Sequence, residues 1–162
     1  MAIVVSDTSP LRALQVLSLV QLLEDMYREV IIPPQVAAEL ARPQRRFAAF
    51  DLHKWPFIRV ERSQNIGLLA QIQTRQLDPG ETEALALALE KSAVLLLIDE
   101  RLGRRVATEM GLHPVGTLGI LLQAKQQGLV AAIRPLINQL QVQIDFRLSP
   151  ALTAEVLRIA GE

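Results

Sequence analysis

The residues that could do chemistry are acidic, and five of them stand where polar positions interrupt apolar segments: Asp7, Glu39, Glu81, Glu83 and Asp99. Each also has a structural alternative. Asp7 follows Ile3-Val4-Val5-Ser6 and precedes Thr8-Ser9-Pro10, so it could cap the next helix or hold a ligand. Thr8 and Ser9 lie closer to Pro10, and a cap there does not require Asp7. Asp99 follows the apolar run 93–98 and either caps a helix opening at Arg101 or faces a ligand. Asp78-Pro79-Gly80-Glu81 fits a capping box, which gives Glu81 a sufficient structural role. Glu83 lies about 200° around the helix from Glu81, at roughly 100° per residue. It is surrounded by Ala84, Leu85, Leu87 and Ala88. A carboxylate in that setting requires a partner or a metal, so Glu83 is the expected third acid and Glu81 the alternative. Glu39, within Val36-Ala37-Ala38-Glu39-Leu40, is either an exposed helix position or a fourth acid.

Gathered carboxylates repel and raise one another's pKa unless a cation neutralises them. Hard Mg²⁺ or Mn²⁺ accepts oxygen ligands and can activate a bound water for phosphodiester cleavage. The chain has no Cys, and its two histidines, His53 and His113, form no ligand-spaced motif, so thiolate and imidazole sites are excluded in favour of oxygen donors. No Ser-His-Asp arrangement or Gly-rich phosphate loop competes; Gly116-Thr117-Leu118-Gly119 lacks the Lys and the spacing of one. Thr117 reads as the cap of a strand-to-helix turn that could also reach the crevice. Arg101, Arg104 and Arg105 follow Asp99 at helical spacing. Cations in a first turn oppose the helix dipole, and a phosphate contact would account for them, as would a solvated face. Arg42, Arg45 and Arg46 form a second basic group, either flanking the crevice or belonging to a connection.

The elements that must position these residues alternate. Ile3-Val4-Val5 and the run 93–98 read as buried parallel strands, with weaker strands at 30–32, 57–60 and 113–116. Helical patterns cover 11–17, 19–27, a segment opened by Pro34, then 64–75, 79–90, 101–110, 118–127, 130–140 and 150–159. Pro10 suits a first helical position and Ser18 a cap. The pattern predicts one α/β domain over residues 1–162 with a doubly wound, mostly parallel sheet. Ligands in such sheets lie outside the carboxyl ends of the strands, where Asp7 and Asp99 fall.

Length and composition agree. The chain has 162 residues, 50% of them hydrophobic, enough for one core without staples. Seventeen basic residues balance seventeen acidic ones. That argues against a protein that coats nucleic acid, though not against an enzyme with a local basic rim. The start lacks a signal-peptide pattern and no apolar stretch approaches the roughly 20 residues of a membrane span, so a cytoplasmic protein away from membranes is expected.

Val5-Ser6-Asp7-Thr8-Ser9-Pro10-Leu11, Ile31-Ile32-Pro33 with Val36 and Glu39-Leu40, Leu77-Asp78-Pro79-Gly80-Glu81-Thr82-Glu83-Ala84, Leu97-Ile98-Asp99-Glu100-Arg101 and Gly116-Thr117-Leu118-Gly119 together resemble PIN-domain proteins. They are most similar to a prokaryotic branch related to the toxins of toxin–antitoxin pairs. The resemblance covers nearly the whole chain and implies a three-layer α/β/α sandwich around a short parallel sheet, with metal-dependent ribonuclease activity. It matches Asp7, Glu39, Glu83 and Asp99 to the family's catalytic acids, with Asp7, Glu83 and Asp99 as the expected Mg²⁺ or Mn²⁺ ligands. A Glu in the third position, where many relatives have Asp, alters the metal distance. Thr8, Ser9, Arg101, Arg104 and Thr117 are the expected contacts to RNA. Toxin relatives further imply a small antitoxin partner and a homodimer. The rival readings are a catalytically silent binding module on the same fold and a phosphotransfer domain with Asp7 as acceptor. The second lacks the paired acid and the Lys such a site needs.

Overall fold

The computed structural model describes residues 2–162. Five short strands, β1 (Val4–Ser6), β2 (Val30–Ile32), β3 (Ile58–Val60), β4 (Leu95–Leu97) and β5 (Pro114–Val115), form one sheet in the order β3-β2-β1-β4-β5. Every pairing among them is parallel, with Val5 opposite both Ile31 and Leu96. All five fall where the sequence predicts strands; β1 and β2 are buried throughout, as a strand covered on both faces has no polar side to alternate with, while the edge strand β3 exposes Arg59 and Val60.

The pleat sorts strand residues onto two faces. Val4, Val30, Ile32 and Leu97 join one core cluster, while Val5, Ile31, Leu96 and Ile98 join the other. The first cluster packs under α1 (Thr8–Val16), α2 (Gln21–Tyr27), α3 (Pro34–Ala41), α7 (Thr117–Gln126), α8 (Arg134–Ile144) and α9 (Pro150–Ala160). The second packs under α4 (Ile66–Gln73), α5 (Pro79–Glu90) and α6 (Arg101–Glu109). The three-layer α/β/α architecture follows. The chain leaves β1 toward one helical layer and β4 toward the other, and these strands are neighbours. Their carboxyl ends therefore form the switch point where crevices open in such sheets.

Three element boundaries differ from the sequence expectation, each for a local reason. Helix α1 begins at Thr8, so Pro10 is its third residue; a missing N–H is harmless anywhere in the first turn, where donors have no intrahelical acceptor. Ser18 does not cap α2. It adopts a left-handed φ of 57° and closes α1, with Ser18 N–H donating to Gln15 O (3.0 Å) and Leu19 N–H to Leu14 O (2.8 Å). Helix α8 starts at Arg134 rather than Val130, since Pro135 is tolerated only in the first turn. The connection 42–54 contains a 3-10 turn at Leu52–Lys54 and a tight hairpin in which Gln44 and Phe47 exchange both backbone hydrogen bonds at 2.9 Å. Among the described residues no helix is long and apolar enough to cross a membrane.

Candidate active site

Asp7 is the first residue beyond β1. Its N–H donates to Leu97 O (2.9 Å), extending the β1–β4 ladder, and its backbone occupies the N-cap position of α1. Its side chain makes no cap hydrogen bond, although only 4% of the residue is exposed. The carboxyl is thus committed to no structural task. Burial, opposed by the Thr8 N–H and aided by the charges of Asp78, Glu39 and Asp99, pushes its pKa up to about 7.

Asp99, just past β4, does not cap α6; Glu100 takes that position. Asp99 instead reaches across to α7, where Oδ1 accepts from the Thr117 N–H (2.6 Å) and Oδ2 from the Thr117 hydroxyl (2.8 Å). Burial raises its pKa, while the Thr117 amide and hydroxyl, the Ser9 hydroxyl and the charge of Arg104 lower it. The expectation that Thr117 caps its helix is corrected here. Gly116 is the N-cap, and Thr117 is fully buried with both donors spent on Asp99.

Glu39, in the last turn of α3, is half-buried, and its Oε2 accepts from the Thr8 hydroxyl. Thr8 is therefore bound to an acid of the site. The two candidates for the third acid have different surroundings. Glu81 is buried at 5% exposure, with a pKa pushed to about 9 by burial, then by a hydrogen bond with Asp78 and the charges of Asp78, Asp7 and Glu100. Glu83 accepts from the Gln35 N–H at Oε1 (3.3 Å), and it lines a cleft of about 650 Å³ with Arg62, Ile66 and Leu69. The capping box is half made. Asp78 Oδ1 accepts from Glu81 N–H (2.8 Å), but the Glu81 side chain turns inward toward α6 instead of back to the cap.

Three glycines that the motif reading left unassigned make room for these acids. A β-carbon on Gly80 would fall 3.0 Å from the Glu39 carboxyl carbon. One on Gly103 would fall 3.1 Å from Glu81 Oε2, and one on Gly116 3.0 Å from both Asp99 Oδ1 and an Arg104 guanidinium nitrogen. Arg104 is thus the cation beside Asp99, whereas Arg105 turns toward Glu109 (4.0 Å) and Arg101 is exposed at the start of α6. Sequence reasoning also missed Arg12, 4% exposed, whose Nη2 donates to Glu39 O (2.6 Å) and Arg42 O (3.1 Å). The available signal was its place one helical turn after Thr8.

Asp7, Glu81 and Asp99, with Glu39 and Asp78 around them, form one electrostatically coupled acidic crevice. Among the described residues no three acids stand close enough to form a ready cage for an ion. The donor set nevertheless suits a hard divalent cation: it is all oxygen, and two of its members are buried carboxyls held above their usual range. His53 and His113 are exposed and lie on other elements.

A doubly wound parallel sheet with acids gathered at its switch point defines an α/β protein with an acidic crevice. The PIN domain family model matches residues 3–162, and the chain belongs to that family. PIN domains are generally nucleases and typically use divalent metal ions. A comparison with curated proteins found no match.

Proposed function

We propose that this chain is a Mg²⁺- or Mn²⁺-dependent ribonuclease whose acidic centre comprises Asp7, Glu39, Glu81 and Asp99. The observation that carries the reading is the pair Asp7 and Glu81, two buried carboxyls at the switch point with raised pKa values and no basic side chain bound to either. Left alone, such groups destabilise the fold when ionised, and a bound divalent cation removes that cost. When bound, the cation supplies charge neutralisation and Lewis-acid activation of water and phosphate. The protein's part is orientation. Thr8 fixes Glu39, while Thr117 fixes both oxygens of Asp99 and opposes the burial that raises its pKa. Arg104 stands beside Asp99 where phosphate charge would arrive.

Glu83 is not part of this centre in the proposal, because its Oε1 is taken by the Gln35 N–H and the cleft it lines includes none of the four acids. The resemblance to toxin relatives supports a cytoplasmic toxin working as a homodimer and held by a small antitoxin. Co-purification with the product of an adjacent reading frame tests that extension.

The deciding experiment incubates purified protein with single-stranded RNA in Mg²⁺, Mn²⁺ or EDTA. Cleavage that needs metal, disappears in Asp7→Asn and falls far more in Glu81→Gln than in Glu83→Gln is expected. No cleavage with either metal, together with no metal binding by calorimetry, would overturn it. A second reading, a catalytically silent RNA- or protein-binding module, draws on the commitment of Glu39 and Asp99 to internal hydrogen bonds. It predicts partner binding that survives Asp7→Asn.

A further inference from the structure

The segment that follows α3 carries Arg42, Arg45 and Arg46, all exposed, and residues 40–50 contain no acid. Among the described residues none of the three forms an ion pair. In a chain of zero net charge this is a local concentration of positive charge, and its shape is defined. Gln44 and Phe47 exchange backbone hydrogen bonds in both directions at 2.9 Å, which sets Arg45 and Arg46 at the tip of a two-residue turn.

The turn is fastened to α1. The Arg12 guanidinium lies over the Phe47 ring, 5.0 Å from its centroid, and Gln15 Nε2 donates to Ala48 O (3.4 Å) and Ala49 O (3.3 Å). Phe50 N–H closes the far end on Leu40 O (2.8 Å). One nitrogen, Arg12 Nη2, holds Glu39 O and Arg42 O together. The base of the hairpin is therefore fixed relative to an acid of the crevice. A solvated basic loop has no need of a buried arginine, an aromatic face and five backbone carbonyls to hold it.

We propose that this arginine-tipped hairpin is the contact for the phosphate backbone of the RNA, setting the strand beside Glu39. Three exposed guanidiniums on a turn tied to the helix that bears Glu39 suit a polyanion whose backbone must be held by cations while one phosphate enters an acidic site. RNA is chosen over an acidic protein segment because the hairpin springs from the end of the helix that bears Glu39. The proposal rests on the nuclease reading for its ligand alone.

The test measures binding, with no cleavage required. Affinity for a mixed-sequence single-stranded RNA oligonucleotide is followed against salt in EDTA for the full chain, for Arg45→Ala/Arg46→Ala and for Arg45→Lys/Arg46→Lys. Loss of two backbone contacts should make the log–log salt dependence shallower by about 1.4, from roughly 0.7 per phosphate on a single strand. The lysine pair, which keeps the charge, should retain most of the slope, and thermal midpoints should agree among the three. An unchanged affinity and slope in the alanine pair would overturn the proposal, as would failure of the unaltered chain to bind RNA. Unchanged RNA binding alongside hairpin-dependent binding of polyglutamate would overturn it in favour of an acidic protein partner. Cleavage with unchanged binding in the alanine pair would remove the hairpin and leave the nuclease; hairpin-dependent binding without metal-dependent cleavage would do the reverse.

Discussion

Thr117 donates twice to Asp99, from its amide at 2.6 Å and its hydroxyl at 2.8 Å, so one residue at the start of α7 fixes both oxygens of an acid at the end of β4. The bonds join the last two strands' connections across 18 residues of chain and oppose the burial that would otherwise keep Asp99 protonated. Thr117→Val keeps the branched shape and the amide bond and removes the hydroxyl. A hydrogen bond to a charged group is worth about 1.5–3 kcal/mol, and the Asp99 pKa should rise further without it. The expected result is modest destabilisation with a pH–rate profile whose acidic limb moves to higher pH. A profile that stays in place while the melting temperature drops would assign Thr117 to folding alone.

The strands and the placement of Asp7 and Asp99 were legible in the sequence because both follow from short-range pattern and topology. Apolar runs mark strands covered on both faces, and the first polar residues beyond them stand at the crevice. The choice between Glu81 and Glu83 was not legible. Spacing shows that they face different ways, but which of them is buried is set by tertiary packing, which places Glu81 Oε2 beside Gly103 and Ile98. Thr117 looked like a cap because its acceptor lies on another strand. Arg12 gave no sign of its role because its partners, Glu39 O and Arg42 O, are about thirty positions away.

Glu81 makes the metal-free protein pH-sensitive. Its carboxyl is held at about 9 in the fold against 4.5 ordinarily, so over that window the folded state keeps a proton the unfolded chain has released. Stability is then full below about 4.5 and falls as pH rises through 9. Asp7, raised from 3.8 to about 7, adds to the same slope at lower pH. Thermal melts in EDTA should show a midpoint that declines from acid to alkaline conditions, and Glu81→Gln should flatten the upper part of that decline. Mg²⁺ or Mn²⁺ should raise the midpoint most at alkaline pH, where protons no longer compete for the carboxylates. A midpoint that rises with pH in EDTA would contradict the sign.

Gly80 separates stability from chemistry. It is the second residue of α5, and its α-carbon leaves the space in which the Glu39 carboxylate sits. Alanine is ordinarily the better helix residue by about 0.5–1 kcal/mol. In Gly80→Ala the new methyl would displace a flexible carboxylate end, so the melting temperature should hold or rise slightly. The Thr8–Glu39 hydrogen bond should break. Ribonuclease turnover is therefore expected to fall at least tenfold, about 1.4 kcal/mol in the barrier. Full turnover in Gly80→Ala would remove Glu39 from the centre.

Arg12 binds the crevice to the basic hairpin, and its substitution by lysine should expose that role. Lysine keeps the charge but lacks the planar fork that can lie on Phe47 while one nitrogen bridges Glu39 O and Arg42 O. Burial already holds the Arg12 pKa below its usual value, so a more readily deprotonated ammonium in that position would lose charge more easily. In Arg12→Lys the hairpin should loosen before the domain does. Amide exchange at Gln44, Phe47 and Phe50, each donating a backbone hydrogen bond of 2.8–2.9 Å, should accelerate, while amides of β1 and β4 keep their protection. RNA affinity should fall with it, because arginines on an unfastened turn lose entropy on binding that the fastened turn has already given up. Uniform acceleration across the sheet would instead make Arg12 a general packing residue, and unchanged exchange in the hairpin would mean that Gln15 and Phe50 suffice to hold it.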